Sequence, residues 1–401
     1  MLELEKARER ILALIEPLPA ETIPLNQATG RIAAGKIDTP IDLPPFDSSA
    51  MDGYAVCARD LDQAGPDRPV TLRLSGQVAA GEGSASGVQR GHCVRVFTGS
   101  DLPEGADAVV MQEETRPGAE QRAEVLFLES VKPWENVRLR GEDVRRGAEL
   151  VSRGVRLTVG RIGLLAACGI GEVPVHRQPV IGILATGSEL REAGATLLPG
   201  QIYESNRVCL ATLLRQAGAI PRLFPLIKDT LEETGLGLQA AFAECDGVVT
   251  TGGVSVGAFD WVKPAFEQLG GKLEFWKVAM KPGKPFAFGV HGNRFLFGLP
   301  GNPVSAFVSF LLLARPALRR WQGADDVRLP VSHGILAEPL VNRGDRRHFL
   351  RVTLDHEGKV RLAGTQASHM LSSLAAANGL VDVPPATIWE VNTPVAVLGW
   401  D

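Results

Sequence analysis

The chain has 401 residues, 45% hydrophobic and 22% charged, an ordinary globular composition with enough apolar surface for several cores. At about 150 residues per domain, it should form two to four domains. Lys and Arg number 42 against 46 Asp and Glu, a net charge of −4, so no positive field is available to grip a phosphate backbone and nucleic acid is excluded as an expected partner.

Leu4, Ala7, Ile11 and Leu14 recur at helical spacing in a charged background, which predicts an amphipathic helix that stops before Pro17 and Pro19. From about residue 39 to 143 the sequence turns rich in Gly, Pro and short alternating runs such as CVRVF and VLFLESV, the pattern of a mainly β lobe. Residues 157–171 are apolar and read as a helix that packs back on the first one, giving a discontinuous N-terminal unit. From 179 to about 322 strand and helix alternate: VIGILATG, a helix around Val208 to Leu214, RLFPLI, a helix over 231–242, GVVTTGG, and a helix over 261–269. This alternation predicts a three-layer α/β domain with a largely parallel sheet, whose ligands bind at strand C-termini. After Gly323 helical periodicity disappears, and HFLRVTL, KVRLA and TIWEVNTPVAVLGW predict a C-terminal β-barrel. The expected units are 1–43 with 144–176, 44–143, 177–326 and 327–401.

Five scattered cysteines without a C-x-x-C pair indicate reduced thiols rather than disulfides or a thiolate zinc site. With no H-x-H and no H-E-x-x-H, any metal should be a hard, oxygen-ligated ion. The charged N-terminus MLELEKARER is unlike a signal peptide, which makes the expected location cytoplasmic. An uncharged stretch over 295–314 is long enough to span a membrane. Gly298, Pro300, Gly301, Asn302 and Pro303 break it into a strand, a turn and a helix beginning near Asn302, so no membrane partner is expected.

Several segments carry chemistry, each with a plainer reading beside it. SAMDGYAV sets Asp52 before a glycine, either as a functional carboxylate or as a common Asp-Gly turn. RVFTGSDL places Thr98 at a strand end where hydroxyls and backbone N–H groups can face a ligand, although such residues also make good turns. RLRGEDVRRG, with Asp143, reads as a charged site or a solvated face. ATGSEL ends a strand in Thr186, Gly187 and Ser188 with Glu189 at the crevice. TTGGVSVGAFD ends another in Gly252 and Gly253, followed by Ser255 and by Asp260 at the entry to the next helix; this makes an anion cradle but not a Walker loop. Residues 253–257 also satisfy the G-x-S-x-G pattern of serine hydrolases, a weak five-residue match. KVAMKPGKPFAFG gathers Lys277, Lys281 and Lys284 about a rigid turn, where mutual repulsion favours a bound anion over three solvated lysines. LPGNPVSA adds Pro300, Asn302, Pro303 and Ser305, while the barrel contributes Arg346, Arg351, Ser368 and His369.

Taken in order, SAMDGYAV, FTGSDLPEGADAVVMQE, RGEDV, ATGSEL, GQIYESN, TTGGVSVGAFD, KPGKPFAFG and GLPGNPVSA closely resemble the molybdopterin molybdenumtransferase (MoeA) family, which includes the E domain of gephyrin. The resemblance runs from about residue 25 to 373. It implies four domains: a discontinuous N-terminal one, a β-rich lobe, an α/β domain like that of molybdopterin adenylyltransferases, and a β-barrel. It further implies insertion of molybdate into adenylylated molybdopterin with Mg²⁺-dependent release of AMP.

The same resemblance assigns catalytic roles to Asp52, Asp143, Asp260, Lys277 and Lys281. Substrate contacts fall to Thr98, Pro300, Pro303 and Ser368 by the same resemblance and to Thr186, Gly187, Ser188, Gly252, Gly253, Ser255, Lys284, Ser305 and Arg351 by the chemistry of their motifs, and hard oxygen ligands for Mg²⁺ to Glu189, Asp229 and Asp260. A homodimer with composite sites is implied, as is contact with molybdopterin adenylyltransferase and molybdoenzyme maturation proteins. Ser48, Glu204 and His348 depart from the family pattern. His348, beside Arg346 and Arg347, is expected to make the barrel edge more basic. The rival functions are a non-catalytic scaffold of the gephyrin type, the adenylyltransferase reaction of the α/β domain alone, and the serine hydrolase.

Overall fold

The computed structural model describes residues 1–82, 87–119, 123–253 and 260–400. Helix α1 (Leu4–Ala13) buries Leu4, Ala7 and Ile11. Ile15 joins them in a core shared with Val278, Phe307 and Leu318 of the α/β unit, whereas Leu14, expected on that stripe, is 43% exposed. The chain start is tied there by backbone bonds from Leu2 N to Lys277 O and from Ala279 N to Leu2 O. That tether corrects the expected pairing of α1 with residues 157–171. Those residues form α2 (Val159–Ala167), whose Leu165 packs with Leu25, Ala28, Ile37 and Val175. Strands Ala20–Pro24 and Glu172–His176 pair antiparallel beside it.

The β lobe is a six-stranded sheet built around Gly53–Val56, which pairs antiparallel with both His92–Val96 and Ala108–Met111. A Cβ at Gly53 would lie 2.0 Å from the Val110 carbonyl oxygen, so only glycine allows this close a strand approach. Register Gly53↔Val96 then sets Asp52 opposite the turn that carries Thr98.

The α/β domain contains β1 (Val180–Ala185), α3 (Asn206–Gln216), β2 (Ile220–Leu223), α4 (Leu231–Glu244), β3 (Gly247–Thr251), α5 (Val262–Gln268), β4 (Lys272–Trp276), β5 (Ala287–His291) and β6 (Arg294–Leu299). The sheet order is β2-β1-β3-β6-β5-β4, with the first four strands parallel and β5 antiparallel to both of its neighbours, so that β4 runs again in the direction of the first four. Strand β2 covers only the start of the expected RLFPLI run; Phe224 N still donates to Ile183 O, and Ile227 rejoins β1 through a parallel bridge to Thr186. The chain passes from β1 out to β2 and returns to β3 on the other side. This reversal opens a crevice beyond the carboxyl ends of β1 and β3, the usual ligand position in such sheets. Helix α6 (Pro303–Ser309) follows β6 across that crevice and continues through a π turn into α7 (Arg315–Trp321).

Strands Val331–Leu336, Arg347–Leu354, Lys359–Leu362, Gly379–Val383 and Pro394–Leu398 close into a five-stranded barrel. Its core includes Leu336, Val352, Val381 and Val397. The short strand Met280–Lys281 leaves the α/β domain and adds to it, pairing in parallel with Arg347 and His348. All five cysteines are free among the described residues. No helix among them is long and apolar enough to cross a membrane.

Candidate active site

Two adjoining compartments occupy the crevice. The larger, about 700 Å³, is lined by Thr186, Glu189, Asn206, Asp229, Gly252, Gly253, Asp260, Pro300 and Pro303, with Tyr203 and Leu371 on its wall. The second, about 440 Å³, lies between the α/β domain and the barrel and is lined by Lys281, Lys284, Ser305, Arg346, Gln366 and Ser368. Pro285, Asn302 and His369 belong to both linings, so the compartments are continuous. Their charges differ in sign. The larger carries Glu189, Asp229 and Asp260, with Glu204 already paired to Arg207, whereas the smaller carries two lysines and Arg346, itself 3.4 Å from Asp345, with no acid among the described residues of its lining.

The floor of the larger compartment follows from strand ends rich in glycine. Gly252 and Gly253 adopt left-handed φ values of 86° and 65°. A Cβ at Gly252 would sit 2.7 Å from Thr186 O, and one at Gly253 2.7 Å from a Val262 methyl, so both positions need glycine for conformation and for space. The Thr186 hydroxyl is buried and has no hydrogen-bond partner among the described residues. Gly187 N donates to Ile227 O. Ser188 N donates to an Asp229 carboxylate oxygen and Asp229 N to the Ser188 hydroxyl, both at 3.3 Å, which locks the two strand-end loops together.

Asp260 is the most perturbed acid. Both of its carboxylate oxygens are buried without a hydrogen-bond partner among the described residues. Burial pushes its pKa up to about 7, against a smaller opposing pull from Lys263. Glu189, Asp229 and Asp260 share one cleft, yet no group of three acidic, His or Cys side chains among the described residues converges as a complete metal ligand set. Mg²⁺ commonly takes one or two carboxylates plus phosphate oxygens and water, and these acids fit that mode. Ser255 and the G-x-S-x-G reading lie outside the described residues.

In the smaller compartment, Asn302 Nδ2 donates to the Ser368 hydroxyl at 3.1 Å, joining the start of α6 to the barrel loop. Arg346 is held by a bond from Nη1 to Met280 O at 3.2 Å. Two expected members are absent from the lining. Lys277 has φ 74°, its backbone bonds to Leu2 and Phe286, and its Nζ lies 5.9 Å from the Trp276 ring centroid. Arg351 is fully buried and donates to Ser373 Oγ, Thr365 O and Ala367 O, so it braces the 365–368 loop from beneath.

His348 corrects a third expectation. It is 6% exposed and its Nε2 has no partner among the described residues. Burial, followed by Lys281, Arg351 and Arg346, pushes its pKa down to about 4. At neutral pH it adds no charge to the barrel edge.

Asp52, Thr98 and Asp143 line neither compartment. The Asp52 carboxylate accepts from Thr98 N at 2.8 Å and Thr98 Oγ1 at 2.9 Å, and these bonds hold its pKa below the usual range. Asp143 is exposed, with its backbone N–H bonded to Leu43 O. Sequence reasoning gave no role to Asn206 or Gln366. Asn206 Nδ2 donates to Thr251 Oγ1 and to Gly301 O, each at 2.7 Å, pinning the start of α3 to the ends of β3 and β6. Its place in the GQIYESN motif was the available signal.

Comparison with known proteins identifies the family of the chain. Residues 2–169 match the model for "MoeA N-terminal region (domain I and II)", residues 182–320 that for "Probable molybdopterin binding domain", and residues 333–400 that for "MoeA C-terminal region (domain IV)". Molybdopterin molybdenumtransferase 2 of Mycobacterium tuberculosis is 39% identical over 386 residues, covering 95% of this chain and 94% of that protein. The Haemophilus influenzae molybdopterin molybdenumtransferase is 39% identical over 385 residues, covering 94% and 93%. The crystal structure of the molybdopterin biosynthesis MoeA protein from Pyrococcus horikoshii OT3 superimposes with a TM-score of 0.85 at 31% identity, covering 99% of each chain. The chain belongs to the MoeA family of molybdopterin molybdenumtransferases.

Proposed function

We propose that this enzyme inserts molybdate into adenylylated molybdopterin in the cytoplasm, with Mg²⁺-dependent release of AMP, and that it works as a homodimer. The carrying observation is the pair of continuous compartments with opposite charge. An organic substrate with a phosphoanhydride suits the large cleft with its glycine floor. A small tetrahedral dianion suits the lysine-lined one.

In this reading Gly252, Gly253 and Thr186 present backbone and hydroxyl donors to the substrate's phosphates, and Asn206 keeps the ends of β3 and β6 in register. Lys281, Lys284 and Arg346 neutralise molybdate, while the Ser305 and Ser368 hydroxyls and the Gln366 amide orient it. Each charge contact near 4 Å is worth about 4 kcal/mol at an effective dielectric near 20. Two Mo–S bonds form as one molybdate oxygen leaves with both dithiol protons as water. In anhydride cleavage, water oxygen bonds to the AMP phosphorus and the P–O bond to the pterin phosphate breaks; that phosphate leaves as the anion. Mg²⁺ held by Asp260 with Glu189 or Asp229 would supply charge neutralisation at the phosphates. The lobe residues Asp52, Thr98 and Asp143 complete the cleft of a second subunit.

The test supplies purified protein with adenylylated molybdopterin, Mg²⁺ and molybdate, and follows AMP and active cofactor. Molybdate should accelerate AMP release and yield cofactor. Equal AMP release with and without the oxyanion would overturn the insertion reading.

A further inference from the structure

A second basic site stands apart from both compartments, where α7 meets the 154–156 segment and the 325–328 loop. Arg319 is 92% buried, since only 8% of it is exposed, and its side chain makes no hydrogen bond or ion pair with any described residue. Its Nε is sealed from solvent without an acceptor. Arg315 and Arg156 act on it as like charges, and with burial they push its pKa down to about 10, so it stays protonated at neutral pH. Arg315 is itself lowered by burial and by Arg156. Among the described residues, Arg315 donates only to the backbone oxygens of Val327 and Arg328.

The nearby acids do not settle this charge. Asp326 is the acid that acts on Arg315 and Arg319, but its carboxylate is taken up by Arg328, whose N, Nε and Nη2 all donate to it at 2.9 to 3.0 Å. Asp325 abuts Gly154 and forms no ion pair within 4.0 Å among the described residues. Four arginines against two aspartates leave an excess of two positive charges around a side chain that is nearly closed off. A guanidinium whose Nε is sealed without an acceptor is unfavourable, and like-charge neighbours add to the cost. A bound dianion removes both penalties, and the planar donors of arginine match tetrahedral oxyanions.

We propose that Arg319, Arg315 and Arg156 form a binding site for a small tetrahedral oxyanion of the phosphate or sulfate class, which fastens the 154–156 segment to α7. The experiment uses the full chain carrying Lys281→Gln and Lys284→Gln, so that the lysine compartment no longer competes for the probe. Sulfate and inorganic phosphate are titrated separately by calorimetry at constant ionic strength. One saturable site should appear with either probe. Adding Arg319→Met should weaken it by about ten- to a hundredfold, the loss of one or two charge-assisted bonds. Arg156→Gln alters an exposed residue and should weaken the same site if Arg319→Met disturbs folding. No saturable binding of either anion, or equal affinity with and without these substitutions, would overturn the proposal.

Discussion

His348 gives the sharpest prediction because its position contradicts its charge. Its folded pKa is about 4 against an ordinary 6.5, so the unfolded chain binds its proton more readily than the folded one between those values. Stability from this group is therefore fully present above about pH 6.5 and is lost as pH falls towards 4. A shift of this size corresponds to roughly 2 kcal/mol between about pH 8 and pH 5, and roughly 3 kcal/mol below the folded pKa. His348→Gln removes the titrating group while keeping polarity and approximate length, and its fixed cost cancels in the pH difference. Urea unfolding should be followed by tryptophan fluorescence, to which Trp389, packed against the barrel core, contributes with five other tryptophans. The variant's stability curve should be flatter on the acid side by about 2 kcal/mol. An imidazole NMR resonance absent from the variant should remain neutral down to about pH 5 in the folded protein. Parallel stability curves, together with a resonance that titrates near 6.5, would refute a neutral, buried His348.

Lys281→Gln should raise the molybdate concentration needed for cofactor formation by about ten- to a thousandfold and leave the Mg²⁺ curve in place, whereas Asp260→Asn should do the reverse. Separate titrations of each variant read the two effects, and a shift of only the Mg²⁺ curve in both would reassign the lysines to a phosphate clamp. Mixing Asp52→Ala with Lys281→Ala subunits should restore part of the activity through one intact composite site, and a fully active monomer by light scattering would exclude that arrangement. Asn206→Ala loses two 2.7 Å bonds and should lower kcat more than stability, which unfolding and kinetic measurements on the same preparation separate.

The strand-end glycines and hydroxyls at 186–188 and 252–253 were legible because a glycine after an apolar run has few uses except a turn or a close approach. The crevice followed from strand and helix alternation. What local pattern did not carry was direction. Lys277 lies four residues from Lys281, but a left-handed backbone turns it onto Trp276. Arg351 looks like an anion contact in sequence, yet three acceptors in the 365–373 segment hold it beneath that loop. Gln366 entered the lysine compartment only because the barrel folds against a loop more than 60 residues earlier in the chain. Helix α1 was found correctly, but its partner was set by the tether at Leu2 rather than by its own apolar stripe.

The two residues Met280 and Lys281 belong by chain order to one domain and by hydrogen bonding to the next. Hinge opening at this seam would have to tear a parallel ladder and release the Arg346 bond to Met280 O. The lysine compartment therefore behaves as a fixed mortise: the oxyanion must enter through its open mouth or from the neighbouring cleft, since prying the two bodies apart would unseat the very residue that binds it. A chain cut before the barrel would keep the α/β cleft in outline but lose the rail on which Lys281 is mounted.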